Sequence, residues 1–306
     1  MQVSLNLRRP FTSAQAREAG LSRGLLAGPK FRRVVSGVYV EAGTPDSPWT
    51  RAAAALAVHP GTAHISHTTA AQLMGLPVAA TADVHVTVLN QRDRRPRAGL
   101  ACHTLPGSDY MIYQGLRVSP PLQQFIELAG ILNLVELVVV GDAMIRQLGL
   151  TREQIVAYCA ACSGDHAAAA RRAAAYVRAE VDSPTESLLR MLIVLAGLPE
   201  PTVNVMLRDD SGVVVYRLDM GYPDIKLATE YDGRQHADDS RQWHRDILRR
   251  EELESDGWRL VVITSPGIYR DPLQTLTRVR DALVARGVTG LPRRFSAEWR
   301  RFFPPR

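Results

Sequence analysis

Apolar and polar residues alternate from Phe31 to Val40, and the run turns at Ser36-Gly37, which predicts a small β-hairpin. Ahead of it, Thr12 and Ser22 each precede a short run of helix-forming residues, as N-caps do, and Gly28-Pro29 closes the second run. The expected order over residues 1–49 is therefore helix, turn, helix, hairpin. Beyond the Pro- and Gly-containing stretch from Gly43 to Pro48, residues 50–58 and 66–74 read as helices. Asp83 to Leu89 alternates like a strand with one buried face, and Leu100 to Leu105 and Met111 to Val118 are further strand candidates. Residues 121–148 carry long helices rich in Leu, Ile and Val. The alanine and arginine run over 165–180 predicts a helical connector, because both are good helix formers.

Asp182-Ser183-Pro184 breaks that connector and places a proline early in the next helix, which runs through Leu188, Leu189, Leu192 and Leu195 to Gly197. Strands follow at Val203–Leu207 and Val213–Asp219, joined by the turn Asp209-Asp210-Ser211-Gly212, and a third at Lys226–Asp232. A helix over 239–255, a strand over Arg259–Thr264 and a helix over 272–286 complete the pattern. The expected fold class is thus a multi-domain α/β protein. Residues 1–49 form a winged helix, 50–180 an α+β middle domain with its helical connector, 181–290 an α/β core of restriction-endonuclease type, and 291–306 a basic tail.

In the third of these strands Glu230 and Asp232 project from one face, roughly 7 Å apart. Asp219, on the neighbouring antiparallel strand, can lie across from them, and Glu186, in the first turn of the preceding helix, can approach the same place. Carboxylates gathered this tightly repel one another, which raises a pKa or draws in a hard divalent cation. Asp219 and Glu230 are the expected ligands of Mg²⁺ (or Mn²⁺), which would activate water against a phosphodiester. His236, four residues past Asp232, can move a proton near neutral pH. On the following helix Arg241, Arg245 and Arg249 recur every four residues as a basic stripe that can meet DNA phosphates, although Glu252 is placed to pair with Arg249 within the helix. Trp243, Ile247 and Trp258 read as core.

Composition narrows the classes further. The net charge of +6 fits a polyanionic partner, and its placement matters more than its size: Arg23, Lys30, Arg32 and Arg33 crowd one short N-terminal stretch. No stretch approaches the length of about 18 uninterrupted apolar residues that a membrane span needs, and the N-terminus lacks the apolar core of a secretory signal, so a cytoplasmic protein without a membrane partner is expected. Three cysteines, Cys102, Cys159 and Cys162, form no disulfide framework. The Cys159/Cys162 pair lies in an alanine-rich helical stretch, where cysteine acts as a small buried hydrophobe. His64 and His67 suggest a metal pair but have no third ligand beside them in sequence, so the middle region is expected to hold no catalytic constellation.

The segment FTSAQAREAGLSRGLLAGPKFRRVVSGVYV resembles the N-terminal winged helix of AbiEi-type antitoxins and related actinobacterial regulators. That resemblance implies DNA binding, with Arg23, Arg32 and Arg33 as phosphate contacts, and a cognate toxin or a second copy of the chain as partner. The segment SPTESLLRMLIVLAGLPEPTVNV, continuing through RLDMGYPDIKLATEYDGRQHADDSRQWHRDILRREELESDGWRLVVIT, resembles the Vsr-like endonucleases of domain of unknown function 559, in the PD-(D/E)XK superfamily. By that resemblance Glu186, Asp219 and Glu230 match the acidic metal-binding positions, and Asp232, Gln235 and His236 belong to the signature E-x-D-G-x-x-H. One departure matters: Asp232 stands where the superfamily has lysine, and Lys226, the nearest lysine, lies about 13 Å of strand away from Glu230. The leading expectation is a metal-dependent DNA endonuclease directed to DNA by its winged helix. The alternative is a non-catalytic, DNA-binding transcriptional regulator of antitoxin type.

Overall fold

A computed structural model describes residues 5–232 and 240–304, and of residues 240–246 the backbone alone. It is an α/β protein, with three separate sheets among the described residues. Along the chain come β1 (Phe11–Thr12), α1 (Ser13–Glu18), α2 (Arg23–Ala27), β2 (Phe31–Val35) and β3 (Val38–Glu41). Then follow α3 (Pro48–Leu56), β4 (His64–Ile65), α4 (His67–Leu73), β5 (Val84–Val88), β6 (Leu100–Thr104), β7 (Met111–Tyr113), β8 (Leu116–Val118) and α5 (Pro121–Leu128). Helices α6 (Leu134–Leu148), α7 (Arg152–Ala161) and α8 (Ala167–Tyr176) lead to α9 (Pro184–Leu195), β9 (Thr202–Arg208), β10 (Val214–Tyr222) and β11 (Leu227–Asp232). The chain ends through α10 (Ser240–Ser255), β12 (Arg259–Thr264), α11 (Ser265–Tyr269) and α12 (Pro272–Ala285). No helix among the described residues is long and apolar enough to cross a membrane.

The chain divides into two compact units, and not at the expected boundaries of 49/50 and 180/181. The first unit holds the residues up to Ile131 together with Tyr158–Ala170, and the second holds Leu132–Ala157 together with the chain from Arg171 onward. The connector helix is also shorter than the alanine run predicts: α8 stops at Tyr176, and Glu180 takes a left-handed backbone (φ 65°) ahead of the proline break.

In the first unit, β1, β3 and β2 form a small sheet in that order, all antiparallel. Thr12 caps α1 through the backbone N–H of Gln15, whose side chain in turn accepts from Thr12 N at 2.8 Å, and Ser22 caps α2 through Leu25 N. Phe11 meets Phe31 edge to face at 5.7 Å, and Ala16 and Leu26 close the same small core. A strand, two helices and a hairpin thus share one small core, and the last strand of the hairpin pairs with the first strand. The second sheet of this unit runs β6-β5-β4-β8-β7, with β5 and β6 parallel and β4 antiparallel to β5. The run expected as one strand over 111–118 is a hairpin, β7–β8. Gln114 (φ 49°) and Gly115 (φ 77°) both adopt the left-handed backbone of a tight two-residue turn.

In the second unit the sheet order is β12-β11-β10-β9, with β10 antiparallel to both β9 and β11, and β11 parallel to β12 across α10. Helices α9 and α12 pack on the sheet, and α6 packs on α9. Leu253 of α10 and Trp258 bury against Val205, Leu218 and Ala228, so Trp258 is core as its pattern predicts. β10 continues three residues beyond the expected end at Asp219, which leaves Asp219 inside the strand. Close approach of the two strands there depends on Gly221, whose missing Cβ would stand 2.6 Å from the Leu227 carbonyl oxygen.

Candidate functional site

The capping turn of α9 fixes Glu186. Ser183 Oγ accepts from Glu186 N (3.2 Å) and donates to Glu186 Oε1 (2.7 Å), while Asp182 N donates to Oε2 (3.0 Å). Burial pushes its carboxyl up to about 7; the Ser183 hydrogen bond opposes that shift and the charge of Asp219 adds to it. Asp219 accepts the Tyr231 N–H at 2.8 Å with Oδ2, so a side chain takes the place of the next rung of the β10–β11 ladder. The register Met220↔Thr229, carried one residue on, sets Asp219 beside Glu230. Burial raises the Glu230 carboxyl, and Asp219 is again among the causes. Helix α9 and strands β10 and β11 thus bring Asp219 within electrostatic reach of both Glu186 and Glu230. Asp232 ends β11, half-buried, in register with Thr264 of β12.

Arg249 supplies what the expected basic stripe does not foresee. It turns inward to Glu230, with Nη1 3.3 Å from Oε2 and Nη2 on Oε1, and it also donates to the Arg217 carbonyl at 3.2 Å. Glu252, the expected helical partner of Arg249, instead accepts from the Tyr216 hydroxyl. Lys226 cannot stand in for the missing lysine, because its Nζ donates to the Asp256 carbonyl at 2.8 Å. Gln235 and His236 lie outside the described residues, as do the side chains of Arg241 and Arg245.

Of the three expected N-terminal phosphate contacts, Arg23 and Arg33 are exposed on α2 and β2. Arg32 is engaged at home: its guanidinium donates to the Thr44 carbonyl at 3.0 Å and lies 3.7 Å from Asp46. Arg17, which the N-terminal motif does not single out, is exposed on α1 and lines one groove with Ser22 and Arg23. Its spacing six residues ahead of Arg23 could have flagged it. The hairpin tip is anchored too, since Arg97 donates to the Ser36 carbonyl at 2.9 Å.

The middle region, expected to hold no catalytic constellation, brings three histidines together. Among the described residues, the group of three metal-capable side chains whose ligand atoms lie within 4.8 Å of one another is His67, His85 and His103, all half-buried. The three rings stack, with centroids 3.7 Å (His67–His103), 5.1 Å (His85–His103) and 5.3 Å (His67–His85) apart. Burial holds His67 down to about 2 and His103 to about 4, with the neighbouring rings pushing the same way, so the rings are neutral. Behind them sits Glu127, whose carboxyl burial lifts to about 7 and which accepts from His67 N (3.0 Å) and Ser119 Oγ (2.9 Å). The sequence signal is hidden by spacing: 18 residues separate each histidine from the next in the series 67, 85, 103.

No family model matches this chain. Two curated proteins of Mycobacterium tuberculosis are similar to it, uncharacterized protein Rv2248 and uncharacterized protein MT2308. Each is 28% identical over 219 residues, covering 69% of this chain and 78% of the relative. Among solved structures, the crystal structure of the RV2827C protein from Mycobacterium tuberculosis is similar at a TM-score of 0.38 and 13% identity, covering 64% of this chain and 79% of that one. A similarity that low carries no argument about fold or activity.

Proposed function

We propose that this protein is a DNA-directed phosphodiesterase, an endonuclease whose second unit carries a divalent-metal site. The observation that supports the reading is the placement of Asp219 beside Glu230 on adjacent strands and near Glu186 of α9, where burial raises the Glu186 and Glu230 carboxyls and the charge of Asp219 adds to both shifts. The donors are hard oxygens, which suit Mg²⁺ or Mn²⁺, and Asp219 and Glu230 are the residues that would hold the ion once Arg249 releases Glu230. A bound ion would supply Lewis-acid stabilisation of the phosphoryl oxygens and a more acidic water. Glu186 keeps a proton to near neutral pH and so can give or take one. Exposed Arg17, Arg23 and Arg33 on the winged-helix elements offer the phosphate contacts that would bring DNA to the chain. The test is incubation of the purified chain with supercoiled plasmid and with single-stranded DNA plus Mg²⁺ or Mn²⁺. Nicking by the wild type and its loss in Asp219→Ala are expected. An inert wild type, or equal nicking by the variant, overturns the reading.

A second reading is favoured by one specific contact. The Arg249–Glu230 pair places the chain's own cation where an ion would sit, and Asp232 replaces the lysine of the resembled superfamily. A regulator that binds DNA through the winged helix and has lost cleavage would look like this. It predicts metal-independent binding of specific DNA that Arg23→Ala and Arg33→Ala abolish and Asp219→Ala leaves intact.

A further inference from the structure

Six of the eight histidines of this chain fall between residues 59 and 166, and three of them converge. The parallel register His85↔Ala101 and Thr87↔His103 puts His85 and His103 on one face of β5 and β6, and His67 enters from the first residue of α4. We propose that His67, His85 and His103 are the protein ligands of a transition-metal site in the first unit. It would take a borderline divalent cation of the zinc class, with a fourth position left to water. The proposal is independent of the carboxylate site in the second unit.

Three imidazoles with no thiolate and no direct carboxylate are the donor set of zinc and its neighbours, not of magnesium or calcium. Tetrahedral zinc, with Zn–N bonds of about 2.0–2.1 Å, keeps its nitrogens roughly 3.3 Å apart. His85 Nδ1 and His103 Nε2 already stand 2.9 Å apart, so an ion replaces their hydrogen bond with little movement of those two atoms. His67 must swing from its stacked position to complete the set, within the 4.8 Å that now encloses all three nitrogens.

The shell behind the rings is built. His67 Nδ1 is engaged with Ser66 Oγ at 2.9 Å, which leaves Nε2 to face an ion. Ser66 Oγ also accepts from Thr87 Oγ1 (2.8 Å), and Ser66 N donates to the His85 carbonyl (3.1 Å), so the turn that carries His67 is tied to the strand that carries His85. Glu127 Oε2 lies 3.8 Å from His67 Nδ1 and accepts its backbone N–H, the carboxylate-behind-histidine arrangement that orients metal-binding rings. His67 holds a left-handed backbone (φ 50°) that β-sheet and helix both avoid, and these hydrogen bonds keep it there.

The experiment uses the full chain, stripped with a chelator and titrated with Zn(II) and separately with Co(II). Bound metal is counted after gel filtration, and affinity is read by competition with a chromogenic chelator. One equivalent of zinc and the intense visible absorption of tetrahedral cobalt are expected for the wild type. His85→Asn and His103→Asn are expected to weaken binding at least about tenfold. Glu127→Gln should keep the stoichiometry while losing about 10–100-fold in affinity. Zinc should raise the melting temperature of the wild type and not that of the two histidine variants. Failure of the wild type to bind, or a full equivalent retained by a His85→Asn/His103→Asn chain, overturns the proposal and leaves a neutral, hydrogen-bonded histidine stack. If the histidine variants do not fold, the cobalt spectrum of the wild type decides, and a pale octahedral band overturns the site.

Discussion

The carboxylates of the second unit are met by partners from the chain itself. Arg249 covers Glu230, Arg190 covers Asp142, and serine and backbone donors cover Glu186. The three clustered histidines of the first unit stack ring on ring, with one hydrogen bond shared between His85 and His103. The contrast follows from chemistry. A buried anion without a partner is costly enough that a fold recruits cations for it, whereas a neutral imidazole tolerates half-burial and keeps a lone pair on offer. A cation entering the second unit must therefore displace an arginine, whereas one entering the first need only spread a pair of rings.

The largest effect that would sharpen this comparison lies at Arg190. Its fully buried guanidinium donates to Asp142 Oδ2 at 2.8 Å and lies 3.2 Å from Glu200, while Arg178 N and Ser187 Oγ complete the shell of Asp142. Arg190→Met should cost about 3–5 kcal/mol in urea unfolding, because it strands a buried carboxylate. Adding Asp142→Leu should recover most of the loss. A loss below about 1 kcal/mol would mean that internal countercharge is not what holds the second unit together.

Next in size is Gly221→Ala. The new Cβ would press on the Leu227 carbonyl oxygen, which is backbone and cannot rotate away. Overpacking of this kind should cost about 1–3 kcal/mol and push Asp219 away from Glu230. The measurement is the urea midpoint. An unchanged midpoint would show that β10 and β11 have slack at their closest approach.

The smallest effect is a pH dependence. Glu186 has its carboxyl raised from 4.5 to about 7 in the fold, so between those values the native state holds a proton that the unfolded chain releases. Its contribution to stability is fully present below pH 4.5 and declines as pH rises toward 7. In Glu186→Gln that decline should vanish, which paired unfolding curves across this window would reveal. Parallel curves for the two proteins would place Glu186 in an ordinary, solvated setting.

Sequence pattern captures the second unit well, because its signals are local. Alternation locates β10, β11 and β12 to within a few residues, and the Ser183 cap with Glu186 three residues on marks the start of α9. Asp219 and Glu230 can be paired on paper because a single turn joins their strands. The inward turn of Arg249 is not legible, since helical spacing says which face a residue occupies and not which neighbour its long side chain selects. The histidine cluster is invisible for another reason. His85 and His103 meet only through a parallel pairing of β5 with β6, whose register no local turn dictates. His67 joins them through a backbone conformation that no propensity favours. Arg32 reads as a phosphate contact in sequence, but Thr44 and Asp46, twelve and fourteen residues on, claim it in the fold.

The chain leaves the first unit at Leu132, returns at Tyr158 and leaves again at Arg171, so α6 lies far upstream of the four-stranded sheet and of α9, whose buried arginine it neutralises. A gene fragment beginning at residue 181 would encode every strand of that sheet and still lack Asp142. Such interleaving makes the protein hard to shuffle by recombination: the second unit cannot be inherited, transplanted or trimmed free of the segment before it without stripping Arg190 of its buried partner Asp142.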